Sequence, residues 1–347
     1  PWPEDVDDWT HPYHRGDNNP MSTDQEAVGP YLTHCLAEPF YVPFPVVTVT
    51  CRDRLYRAFG NVAFKERGWP WTNTLVAMNP FNGTILWRRQ LEEGFNIHRN
   101  TMIATPRGLL IADSRSCKLL DRNTGEVLDE IVSPERDAAV WKWMAMEGGV
   151  LYALTGGPEF RDTTLHGTST AAGWPWRPMT PGYDRRDYPW GEGTHLYAIR
   201  PDTKEVLWSK VFDVPIDNRA VCMKNRRIYC YSHRNALMCV DAATGEEVWR
   251  NASGGLLEAI GEHNPAQIYL RGFSTQAYIC CDDRVVYFAG PQRDRLVAVD
   301  AATGKMLWDY PSGNFGLVLR DGVAYAMART EPDGRSIIFD PVTGIKV

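Results

Sequence analysis

Six copies of one short pattern run along the 347 residues, and no other feature limits the fold as sharply. They read LVAMNPFNGTILW (75 to 87), KLLDRNTGEVLD (118 to 129), LYAIRPDTKEVLW (196 to 208), LMCVDAATGEEVW (237 to 249), LVAVDAATGKMLW (296 to 308) and IIFDPVTGIKV (337 to 347). Their turn position is held by Gly83, Gly125, Lys204, Gly245, Gly304 and Gly344, at spacings of 42, 79, 41, 59 and 40 residues. The base period is therefore about 40, the length of one four-stranded propeller blade, with insertions in two repeats.

Each copy reads as an apolar strand, a tight turn and a second strand. Asp or Asn stands four residues before the glycine in five copies, where its side chain can accept bonds from backbone N–H groups two residues on. Glycine takes the positive φ such turns need, so Lys204 is expected to strain or reshape its turn. Trp87, Trp208, Trp249 and Trp308 follow four residues after the turn. Such a large plate with one N–H to satisfy suits wedging between neighbouring blades, and Asp129 in its place predicts a weaker junction. Two further short β-rich runs precede each copy, for example AVCMK and RIYCYS (220 to 232). Four strands per unit, A to D, give an all-β propeller with units at about 46–90, 98–132, 139–212, 217–251, 272–312 and 314–347. Only GGLLEAIGEH (254 to 263) has a helical period. Residues 1–45 form a leading segment, packed on the propeller or completing it.

The V-D-A-A-T-G-x-x-x-W copies resemble the tryptophan-docking repeat of the pyrroloquinoline quinone (PQQ) propellers and their non-enzymatic relatives, over about residues 46 to 347. The segments DDWTHPYHRGDNNPMSTD (7 to 24) and VWKWMAMEGGVLYAL (140 to 154) further resemble large PQQ-like propellers of planctomycete-type bacteria. The resemblance implies seven or eight blades. With six visible, it implies a partner segment or chain that completes the propeller. It also implies two functional classes: PQQ- and calcium-dependent oxidoreductases, and cofactor-free scaffolds such as the outer-membrane assembly propeller. None of the family's calcium-binding or catalytic residues maps onto a position here.

In such a propeller the D-to-A and B-to-C connections share the usual ligand face. Residues leading into strand A then converge at the mouth of a central channel: His98, Arg99, Asn100, Trp141, Lys142, Trp143, Asp217, Asn218, Arg219, Gln276 and Asn314. Arg99, Lys142 and Arg219 could form a cationic cluster for a carboxylate, with Trp141 or Trp143 as a stacking surface. Equally, these groups could solvate the channel and pair with Asp217. Gly-Trp-Pro-Trp occurs in two B-to-C loops, placing Trp69, Trp71, Trp174 and Trp176 where they could stack sugars, meet a partner, or pack their own loops. His11, His14 and Asp17 form a compact polar group on a loop, with solvation the commoner fate of such a group.

A disulfide plate between Cys280 and Cys281 is the family's quinone device. Here the pair ends strand A on the opposite face, and successive strand side chains diverge. The other cysteines, Cys230 and Cys239 among them, alternate with apolar residues as small buried hydrophobes. A net charge of −6 argues against nucleic acid, and no apolar run is long enough for a membrane helix. The first methionine is Met21, which fits removal of an upstream export signal or a proteolytic cut. The sequence thus points to an exported, periplasmic or extracellular binding or scaffold propeller. A quinoprotein oxidoreductase and a carbohydrate-active propeller are the alternatives.

Overall fold

The structure, a computed structural model, describes residues 5–26, 37–93, 100–112, 115–158, 164–166, 191–261, 277–290, 293, 295–311, 316–327 and 336–346. Six antiparallel sheets follow one another along the chain as the blades of a β-propeller. The first contains β1 (Phe44–Cys51), β2 (Arg54–Ala63), β3 (Thr74–Met78) and β4 (Ile85–Gln90); the second β5 (Met102–Thr105), β6 (Gly108–Ala112), β7 (Ser116–Asp121) and β8 (Val127–Val132). The third holds β9 (Val140–Glu147) and β10 (Val150–Gly156) and, after the two-residue β11 (Leu165–His166), β12 (Glu192–Arg200) and β13 (Glu205–Asp217). The fourth comprises β14 (Val221–Lys224), β15 (Arg227–Ser232), β16 (Ala236–Asp241) and β17 (Glu247–Asn251). β18 (Ile279–Cys281), β19 (Val285–Phe288), β20 (Leu296–Asp300) and β21 (Met306–Tyr310) make the fifth. β22 (Gly316–Arg320), β23 (Val323–Met327) and β24 (Ser336–Phe339) make the sixth, where a bridge from Phe339 to Lys346 holds the fourth-strand position. The helical period after the fourth sheet is a short helix, α1 (Gly254–Ile260).

The chain divides into two compact units. One comprises Pro1–His14, Ser22–Trp141 and Pro158–Tyr188, the other Arg15–Met21, Lys142–Gly157 and Pro189–Val347. In each, cores form between consecutive sheets. Tyr56, Leu75 and Trp87 pack against Met102, Leu109 and Leu120 in the first unit. In the second, Tyr229, Leu237 and Cys239 pack against Ile279, Cys281 and Val286.

The repeated motif explains this stacking residue by residue. Asp121 Oδ1 accepts from the N–H groups of Asn123 and Thr124 at 2.7 and 2.8 Å, and Asp340 Oδ1 accepts from Val342 and Thr343 at 3.1 and 2.8 Å. These bonds hold both carboxyls below the usual carboxylate range, through the N–H of Asn123 first in one and of Thr343 first in the other. The turn then delivers a glycine at positive φ, and the indole of the preceding blade lies on it. A Cβ at Gly304 would sit 2.4 Å from Trp249 Cε3, and one at Gly125 2.7 Å from Trp87 Cε3. Each indole N–H donates to a carbonyl of the next blade: Trp87 to Arg122 (3.1 Å), Trp208 to Ala242 (2.9 Å), Trp249 to Ala301 (3.0 Å) and Trp308 to Pro341 (2.9 Å). Gly83 opens the same turn in the first sheet, while Gly245 and Gly344 receive Trp208 and Trp308. Burying one such ring stabilises on the order of 4 kcal/mol.

A feature with no counterpart in the repeated motif sits beneath each tryptophan. Strand register lines up Tyr56–Ala77–Trp87, Tyr152–Ala198–Trp208, Tyr229–Cys239–Trp249 and Tyr287–Ala298–Trp308 across strands B, C and D. The small middle residue lets the two rings approach to 6.0–6.2 Å between centroids. In the second sheet the same line is Leu110–Leu119–Asp129.

The leading segment bonds to the first strands of the sheets. In the first unit, Thr50 N donates to Trp9 O (2.7 Å) and Ala104 N to Thr10 O (2.9 Å). His11 and His14 bridge each other there, and His14 Nε2 meets Asp7 at 2.7 Å. In the second unit, Met223 N donates to Gly16 O (2.7 Å) and Cys281 N to Asp17 O (3.1 Å). Asn18 Nδ2 donates to Val221 O and Ile279 O at 2.9 and 3.1 Å. Asn19 both donates to Leu319 O and accepts from Leu319 N, at 2.9 and 3.0 Å. The carboxylate of Asp17 pairs with Lys224 at 2.9 Å, so Asp17 belongs to a different group from His11 and His14.

Candidate functional site

At one end of the third sheet, β9 begins, β10 ends, β12 begins and β13 ends. Polar side chains gather there in the second unit. Asp217 caps the 3-10 turn Asn218–Ala220 by accepting from Arg219 N, and the same carboxylate takes the Arg219 guanidinium in a fork, with Nε–O distances of 2.9 and 3.2 Å and Nη2–O of 2.5 Å. Both side chains are only 2% exposed. Tyr278, from the lead-in to β18, donates its hydroxyl to Asp217 Oδ2 at 2.9 Å. Burial, then the Asp217 charge, hold that phenol well above its ordinary range, so the hydroxyl stays a donor. Arg293 lies over the Tyr278 ring at 3.9 Å and donates to Ile260 O at 3.4 Å.

Lys142, 1% exposed, sends Nζ to Gly157 O at 2.7 Å, and its own carbonyl accepts from Asn218 Nδ2 at 3.1 Å. Gly156 permits this approach: a Cβ there would lie 3.2 Å from Lys142 Cε and 2.6 Å from Glu192 O. Glu192, exposed as a residue, has its carboxyl pushed up by partial loss of water and then by Asp217. Two buried atoms at this end, Asn218 Oδ1 and Thr155 Oγ1, have no partner among the described residues. Burying such groups costs about 1–3 kcal/mol each unless something else satisfies them.

The cluster expected at the mouth therefore assembles from Lys142, Asp217, Asn218 and Arg219, with the positive charge of Arg219 matched by Asp217 rather than left as a lone cation. Asn100 is buried in the first unit. His98, Arg99, Gln276 and Asn314 lie outside the described residues, as do Trp174 and Trp176. Trp141 and Trp143 are 2% and 1% exposed, with Trp143 packed among Ala145, Tyr152 and Leu154, so neither offers the stacking surface expected of it. The reason is strand position: both lie within β9, not before it. Sequence spacing does not single out Tyr278, Thr155 or Arg293: Tyr278 and Arg293 come from later connections and Thr155 from the end of β10, and only the fold brings them alongside 217–219.

The Gly-Trp-Pro-Trp loop of the first sheet forms a short 3-10 turn (Glu66–Trp71) and acts as a clasp within the first unit. Trp69 stacks on His166 of β11 with centroids 4.8 Å apart and planes 5° apart, while β11 runs parallel beside β2. Phe59 meets Trp71 edge-on and Arg88 covers it at 4.5 Å. Each of the two rings thus has one face taken from within the first unit, Trp69 by His166 and Trp71 by Arg88.

The described residues at this end do not fit a quinone with calcium. The carboxylate–amide pair on this face is Asp217 and Asn218, and both oxygens of Asp217 are engaged by Arg219 and Tyr278. Cys280 and Cys281 turn into different cores, Cys280 with Tyr287 and Leu317 and Cys281 with Tyr229 and Val286, so they form no plate. Among the described residues no group of three or more His, Cys, Asp or Glu could hold a metal ion.

Comparison with known proteins agrees with this architecture. Residues 192–344 match the family model described as outer membrane protein assembly factor BamB. The quinohemoprotein alcohol dehydrogenase of Comamonas testosteroni superposes with a TM-score of 0.51 at 13% identity, over 86% of this chain and 58% of that one. BamB from Moraxella catarrhalis gives 0.48 at 12% identity, over 85% and 70% of the two chains. No curated protein sequence matches. Among the described residues no helix is long and apolar enough to cross a membrane.

Proposed function

We propose that this chain, a PQQ-like β-propeller, is a ligand-binding module of the cell envelope that takes a small hydroxy-carboxylate at the polar end of its third sheet. The observation that carries this reading is the pair of buried, unpartnered acceptors, Asn218 Oδ1 and Thr155 Oγ1, set among Lys142, Arg219 and Arg293. A ligand hydroxyl satisfies such acceptors, and its carboxylate is attracted to a region where three cations face the two carboxyls of Asp217 and Glu192. Asp217 and Tyr278 act as positioning residues, holding Arg219 in place. The family description, an outer membrane assembly factor, supports the envelope location. It also supports a second reading, in which another chain completes the propeller and docks on it.

Titration calorimetry with citrate as the probe tests the site. Saturable binding that Lys142→Met weakens at least tenfold is expected, a change of about 1.4 kcal/mol. Silence towards citrate with an intact fold would sink the ligand reading. A stoichiometric quinone absorbance with bound calcium after incubation with both would instead make the protein an oxidoreductase.

A further inference from the structure

Two thiols meet where the first strands of the fourth and fifth sheets run side by side. Cys222 on β14 and Cys281 on β18 are both 0% exposed and belong to one core, with Tyr229, Cys239 and Ile279 around them. β14 and β18 pack directly against each other, which brings both side chains into the same interface. Cys280, the sequence neighbour of Cys281, faces the other side of the strand, among Tyr287, Leu296 and Leu317. The leading segment fixes the two strands relative to each other. One amide, Asn18 Nδ2, bonds Val221 O and Ile279 O, while Gly16 O and Asp17 O take the N–H groups of Met223 and Cys281. The residues flanking both cysteines are thus held in register by four consecutive backbone and side-chain contacts.

We propose that Cys222 and Cys281 form a disulfide between two blades when the chain folds in an oxidising compartment, and that Cys281 pairs with Cys222 rather than with Cys280. Adjacent cysteines in a regular strand point apart, whereas cysteines facing each other across a packed interface need only side-chain rotation. The chemistry is thiol–disulfide exchange with a small disulfide oxidant such as oxidised glutathione. One cysteine thiolate attacks the oxidant and expels a glutathione thiolate, leaving a mixed disulfide. The second cysteine thiolate attacks that bond and expels the second glutathione. The two electrons end on two reduced glutathiones, which also take up the two thiol protons. Bond formation belongs to folding, before the interface closes. In the finished fold burial holds the Cys222 thiol well above its ordinary range, which makes it a poor nucleophile. The inference is independent of the ligand reading and survives its failure.

The test starts from the reduced, denatured full chain, refolded in a mixture of oxidised and reduced glutathione. Free thiols are alkylated and peptides mapped without reduction. The expected map joins the Cys222 and Cys281 peptides, and the oxidised protein melts about 5 °C above the reduced one. Cys280→Ala keeps the cross-link and the shift, and Cys222→Ala loses both. A bond between Cys280 and Cys281, or full alkylation of Cys222 and Cys281 after oxidative refolding, overturns the proposal. If Cys222→Ala does not fold, the wild-type map decides alone. Where refolding is inefficient, a map of the protein secreted into an oxidising compartment gives the same two outcomes.

Discussion

The second sheet and the fourth are built on the same strand order, yet their cross-sections differ at three aligned positions. The fourth sets Tyr229 and Trp249 on either side of the small Cys239, and the indole reaches on to Gly304 and Ala301 O of the following blade. The second has Leu110, Leu119 and Asp129 on that line. There the strand C position is filled by a leucine, no ring pair forms, and strand D offers no plate. The next turn in sequence differs too: Lys204 replaces the usual glycine and keeps the left-handed φ of 61°. The glycine is therefore required where an indole must lie against its α-carbon, and the turn geometry by itself tolerates a side chain at a cost of about 1–2 kcal/mol.

Four measurements sharpen or break this contrast. Trp249→Ala is expected to cost about 3–5 kcal/mol in denaturant unfolding, whereas Asp129→Ala should cost about 1 kcal/mol at most; equal losses would abolish the distinction. Gly304→Ala, which adds a Cβ both at positive φ and into the indole, should lose about 2–3 kcal/mol. Lys204→Gly should gain up to about 1 kcal/mol by relieving the left-handed residue, and a loss would show that its side chain has a packing role.

The smallest effect is a pH dependence. Asp121 and Asp340 have folded-state pKa values below their unfolded ones, so they stabilise above the ordinary carboxylate value of 3.8 and lose this as pH falls through their lowered folded values. Asp121→Asn should flatten part of that decline between about pH 4 and pH 2, since Asn79 serves the first turn as an amide already. An unchanged slope would mean that the turn carboxylates do not set acid stability.

The sequence made the blades readable because their turns repeat the same chemistry: Asp before, Gly in the bend, Trp after. The tyrosines escaped notice for a physical reason. Tyr229 and Tyr287 lie 16 and 17 residues before their turn glycines, but Tyr56 lies 27 before and Tyr152 is separated from Lys204 by an insertion. Only strand register brings them onto one line. The polar site was half visible. Asp217 and Arg219 are neighbours in sequence, whereas Tyr278 and Arg293 come from later connections and Thr155 ends a different strand. Trp141 and Trp143 are core rather than lead-in because β9 starts at Val140, ahead of both.

The contacts of Asn18 and Asn19 span 203, 261 and 300 positions of sequence. During synthesis these side chains leave the ribosome long before Val221, Ile279 and Leu319 exist. Asn18 and Asn19 must stay unsatisfied until the sixth sheet has been made, and their docking comes late. Closing such distant loops is slow, so maturation of this propeller is a matter of waiting, with the edges of the first strands of its sheets exposed to chaperones or to misassembly in the interval.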